Sequence, residues 1–120
     1  MIHLLLAGML VAAAANAPSA PGPLEGEWQV DLRPTPEAPE YLKPMRIELS
    51  AAGGVTGSFY DSPMENGTVG EWGDRRCVSF RTRDASGPYH SSACLSGERL
   101  VGQTWSEGRG FLLLWTARRP

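Results

Sequence analysis

Cysteine and histidine are scarce in this chain of 120 residues, and each scarcity excludes something. Two cysteines are too few for a disulfide-dense miniprotein or a four-thiolate zinc site. The two histidines are His3, inside an N-terminal apolar run, and His90, so a histidine metal cluster has no material. Positive charge is in no excess either. Eleven Lys and Arg against thirteen Asp and Glu leave a net charge of -2, without the basic surplus that displaces counterions from a polynucleotide, so nucleic acid is not an expected partner. Beyond residue 24 no segment has a helical period. Charged residues are 20% and hydrophobic residues 42%, a balance suited neither to a coiled coil nor to a charge-rich disordered chain.

The longest apolar run, Ile2 to Ala15, is shorter than the roughly 20 residues of a spanning helix and ends in small residues. It reads as a signal peptide, residues 1–15, with cleavage expected after Ala15. The triplet Ala15-Asn16-Ala17 also has the small-x-small form, but it would leave Pro18 as the first mature residue. No cysteine lies near for lipid attachment, so the product is expected to be secreted or periplasmic and free of the membrane. Residues 16–23 form a Pro-rich flexible segment, either a tether or an arm that inserts into a partner. Residues 24–118 form one β domain.

Within that domain turn residues recur every eight to twelve positions between alternating runs, the pattern of an all-β fold. An up-and-down antiparallel barrel of about eight strands is expected, with a two-sheet sandwich as the alternative. Trp28, Val30 and Leu32 alternate in the first strand. Keeping Met45, Ile47 and Leu49 on one face with Val55, Gly57 and Phe59 pairs Leu49 with Val55 and Met45 with Phe59. A three-residue loop with Gly53 in a left-handed conformation then joins the two strands. A turn spans Asp61 to Gly67, whose Asn66-Gly67-Thr68 is formally a glycosylation sequon but reads as a turn tolerating positive φ. The remaining strands run from Thr68 to Trp72, Arg76 to Arg83, Tyr89 to Ser96, Leu100 to Trp105 and Phe111 to Thr116.

A short turn at Ala85-Ser86 places Cys77 directly opposite Cys94, which predicts a disulfide in an exported protein. The same register puts His90 opposite Arg81, on the cysteine face and away from Phe80 and Val78. His90 is then an exterior residue, and its neighbour Ser91 points the other way, so the two do not form a nucleophile and base. There is no metal constellation, phosphate loop or nucleophile elbow, and Asp61 and Glu65 sit in one loop. No catalytic residue, metal or cofactor is therefore expected, although a cavity enzyme is kept as a third possibility.

The aromatics stand out. Four Trp, three Tyr and three Phe suit either a packed core or a cavity lined by Trp28, Phe59, Phe80 and Trp105, with Thr82, Tyr89 or Arg109 to orient a ligand. The run Phe111-Leu112-Leu113-Leu114-Trp115 is apolar on both faces where a barrel strand should alternate. Something should cover its outer side: the proline-rich segment around Tyr41, or another copy of the chain in a homodimer.

Gly26-Glu27-Trp28 resembles the Gly-x-Trp that opens the first strand of calycin-type barrels, and Val55 to Tyr60 and Leu100 to Trp105 are similar to strands of avidin-like and lipocalin-like proteins. The runs Leu32 to Pro36, Gly57 to Tyr60 and Gly108 to Leu112 resemble those of small exported bacterial domains of unknown function. The calycin resemblance implies a small, hydrophobic ligand in or at the mouth of the barrel, with Trp28 at its floor. A similarity in size and disulfide count to exported metalloprotease inhibitors implies the alternative, a protein-interaction module acting through its N-terminal arm.

Overall fold

The computed structural model describes residues 22–120; the expected signal peptide and most of the Pro-rich segment lie outside them. Nine strands follow one another: β1 Gly26–Asp31, β2 Leu42–Leu49, β3 Gly54–Phe59, β4 Ser62–Pro63, β5 Glu65–Trp72, β6 Arg75–Asp84, β7 Gly87–Ser96, β8 Arg99–Ser106 and β9 Phe111–Arg118. No helix occurs among the described residues. Every pairing is antiparallel, and β1 joins both β2 and β9, which closes an up-and-down barrel of eight strands. The two-residue β4 pairs only with β3 and stands outside the ring.

Registers follow from side-chain alternation, because a one-residue slip would turn every inward side chain to solvent. Met45 pairs with Phe59, Ile47 with Gly57 and Leu49 with Val55. Gly53 adopts φ +83° in the loop between β2 and β3, where its N–H donates to the Ser50 carbonyl. Cys77 lies opposite Cys94, His90 opposite Arg81 and Asp84 opposite Gly87, and the cysteines form a disulfide.

The Asn66-Gly67 segment departs from expectation. The tight turn is Tyr60-Asp61, both at positive φ, between the paired residues Phe59 and Ser62. Asn66 and Gly67 belong to β5, at a register shift between Glu65 and Thr68. The tolerance for positive φ is used all the same, with Asn66 at φ +52°, but in a bulge rather than a hairpin turn. Gly67 passes so close to the Val55 carbonyl that a Cβ there would lie 2.3 Å from its oxygen.

Inward positions carry Trp28, Val30, Met45, Ile47, Val55, Phe59, Val78, Phe80, Leu100 and Trp115, all buried and forming one cluster. Leu24, just before β1, is also fully buried and accepts a 2.9 Å hydrogen bond from Trp28 Nε1. The Trp115 ring lies over Gly102, its cross-strand partner, where a Cβ would come within 2.5 Å of the indole. The absent side chain at Gly102 makes room for the largest one on β9.

Candidate functional site

The seven residues expected to line a ligand site divide between inside, rim and outside. Trp28, Phe59 and Phe80 face inward and pack: Phe59 lies 5.4 Å from Phe80 and 5.4 Å from Trp115, ring centre to ring centre. Thr82 is buried beside them. Tyr89 is at the rim, donating from its hydroxyl to Asp84 at 2.9 Å. Arg109 sits in the turn between β8 and β9, its guanidinium 5.0 Å from the Phe111 ring centre. Trp105 faces out through the wall, its ring tilted against that of His90 with centres 5.5 Å apart, and is half exposed.

A cavity shared by Trp28, Phe59, Phe80 and Trp105 is thus not formed, and the reason is register. Trp105 pairs with His90, on the cysteine side of the wall, so the inward place falls to Thr104. Thr104 Oγ1 accepts a 2.9 Å bond from Trp115 Nε1 and shares a 2.8 Å bond with Ser91 Oγ. These hydroxyls answer the indole N–H inside the core, and among the described residues no buried side-chain N or O lacks a partner. Where a ligand was expected, aromatic rings and small hydroxyls occupy the interior.

Surface cavities lie outside that interior. One, of about 750 Å³, opens at the barrel end beside Pro23, Trp28, Leu95, Arg99, Arg118 and Arg119. Arg119 crosses the Trp28 ring at 3.9 Å from its centre and donates to the carbonyls of Pro23 at 2.9 Å and Glu27 at 3.0 Å. A cation over an aromatic face is attracted by the ring quadrupole, and here it latches the start of β1 to the end of β9.

The second cavity, of about 780 Å³, is a groove on the outer wall. Its floor is Val101, Leu112 and Leu114, and one side is the loop between β1 and β2 through Pro34 and Pro36. Leu112 is 56% exposed and Leu114 67%, so that loop flanks the apolar strand without covering it. Tyr41, expected to help cover it, packs edge-on against Tyr60.

Asp31 holds the groove wall at both ends. Its carboxylate accepts from Arg33 Nε at 2.7 Å, from the Arg33 backbone N–H at 3.1 Å and from the Tyr41 backbone N–H at 3.2 Å. These bonds favour the ionised form, the Arg33 guanidinium foremost, and bring the Asp31 pKa down to about 2. Glu40 ties the same loop to the barrel through Arg118 at 2.8 Å and meets Arg33 at 3.5 Å. Arg99 lines both cavities.

Catalytic groupings are weak by comparison. His90 Nε2 lies 3.1 Å from Glu107 on the exposed face, and Glu65 is engaged by Arg83 and Arg81, which hold its carboxyl below the usual range. Among the described residues no three His, Cys, Asp or Glu side chains gather as a metal site. The Arg119 latch was not foreseen from the sequence, whereas the proline-rich segment expected over the 111–115 strand does lie beside it, as the wall of the groove rather than its cover. The two-sided apolar run at 111–115 was the one signal that pointed to the outer face. No protein-family model, curated protein or solved structure matches the chain.

Proposed function

We propose that this chain is an exported protein-interaction module that engages its partner through the outer face of β8 and β9. The observation that carries the proposal is the contrast across one wall. Trp115, Phe59 and Phe80 are buried on the inside, while Val101, Trp105, Leu112 and Leu114 stand 49–67% exposed on neighbouring strands outside. A contiguous exposed apolar patch on a folded protein marks an interaction surface. The disulfide supports an oxidising compartment. A role for the N-terminal arm in protease inhibition concerns residues outside those described.

A photoactivatable cross-linking residue at position 114 in producing cells tests this, with the same residue at Ser79, an exposed outward position on β6, as control. A discrete protein adduct from 114 and none from 79 is expected. No adduct from 114, or equal adducts from both positions, would contradict it.

A second reading, a small ligand at the barrel mouth, draws on the end cavity with its Trp28 floor and its arginines. It predicts quenching of Trp28 emission by an apolar carboxylate, lost in Arg119→Ala.

A further inference from the structure

The outward side chains of β8 are Arg99, Val101, Gln103 and Trp105, and the turn that follows adds Glu107. Val101 and Trp105 stand equally far from Gln103, on either side of it, and so do Arg99 and Glu107. The row is therefore symmetric in its apolar residues and antisymmetric in its charges. Among the described residues Arg99 meets no carboxylate of its own chain. Glu107 engages His90 through Oε1 alone.

We infer that the partner on this face is a second copy of the chain, related by a two-fold axis that lies in the interface, perpendicular to β8, and passes over Gln103. The inference rests on the outer-face proposal above and supplies its partner. Charge selects this axis. A two-fold parallel to β8 would stack Arg99 on Arg99 and Glu107 on Glu107, whereas the perpendicular axis reverses the strand and sets each Arg99 against the Glu107 of the second copy, twice per dimer. An isologous interface doubles every such contact.

The apolar positions agree. The same rotation carries Trp105 of the second copy over Val101, into the groove flanked by Pro34 and Pro36. Leu114, level with Gln103 in the ladder, falls on its own counterpart at the centre. Stacked sheets cross at about 30°, which separates the strand ends by a distance that the long Arg and Glu stems span. The result has an apolar centre with an aromatic anchor and a charged rim, the ordinary anatomy of a protein interface.

The test is sedimentation equilibrium of the protein expressed from its full-length gene, with Arg99→Glu, Glu107→Arg, the double exchange and Leu114→Glu. The wild type is expected to dimerise, less tightly as salt rises. Each single charge reversal places two like-charge pairs in the interface and weakens the dimer at least tenfold. The double exchange restores most of that loss, and Leu114→Glu leaves a monomer with the wild-type far-ultraviolet spectrum. A wild type that stays monomeric to about 1 mM, or a dimer that the double exchange fails to restore, would overturn the inference. A monomer that still forms an adduct from position 114 with a different protein would overturn the second copy alone and leave the outer-face proposal standing.

Discussion

At the scale of single residues, the packing of Trp115 sets the geometry of one side of the barrel interior. Its indole fits only because Gly102 has no side chain, and its N–H is satisfied only because Thr104 rather than Trp105 points inward. Gly102→Ala pushes a methyl into the ring and is expected to cost about 1–3 kcal/mol, read as a lower urea midpoint at unchanged slope. Thr104→Val keeps the shape but strands a buried indole donor, for about 1–3 kcal/mol, and calorimetry should show the lower Tm. The inward set on β6 was legible in the sequence, because Val78, Phe80 and Thr82 alternate with polar neighbours. Trp105 was misplaced because aromatic size suggested an interior position. Its cross-strand partner His90, already assigned to the cysteine face, carried the contrary information.

At the scale of elements, two devices hold neighbouring parts of the chain together. The Cys77–Cys94 link joins β6 to β7 at directly opposed positions. In the chain-entropy picture, closing a loop of this size contributes about 3 kcal/mol, so reduction, or Cys77→Ser with Cys94→Ser, should lower the unfolding free energy by about that amount, read as a lower denaturant midpoint. The hairpin was predictable from the spacing of the cysteines and the turn residues between them.

The other device is the loop between β1 and β2, pinned by Asp31. An Asp whose folded pKa lies below its unfolded value stabilises the fold fully above the unfolded value. That contribution is lost as pH falls from about 4 toward the folded value of about 2. Amide exchange at Tyr41, whose N–H is bonded to Asp31, should therefore quicken relative to other protected amides over that window. In Asp31→Asn the extra acceleration should be absent. The sequence showed three prolines between β1 and β2 but not what held them, since Asp31 and Tyr41 are ten positions apart and meet only when the loop folds back.

At the scale of the whole molecule, closing the barrel removes the sheet edges that otherwise invite pairing and leaves the wall's two faces to divide the work. The inner face packs Trp28, Phe59, Phe80 and Trp115 into one buried cluster. The outer face of β8 and β9 keeps four large apolar side chains exposed beside a groove. The excess of apolar residues at 111–115 was visible in the sequence as a strand that fails to alternate. The proline-rich segment was expected over it; that Pro34 and Pro36 only flank it was not legible, because the Asp31 and Glu40 contacts that hold the loop aside form only on folding.

The most direct test of where this protein makes its apolar contacts is titration of a neutral naphthyl fluorophore into dilute protein, comparing Leu114→Glu with Phe80→Leu. Contact on the outer face predicts that the rise in probe emission is lost in Leu114→Glu and kept in Phe80→Leu. Emission that survives Leu114→Glu and disappears in Phe80→Leu would place the binding site inside the barrel and contradict the division of labour between its two faces.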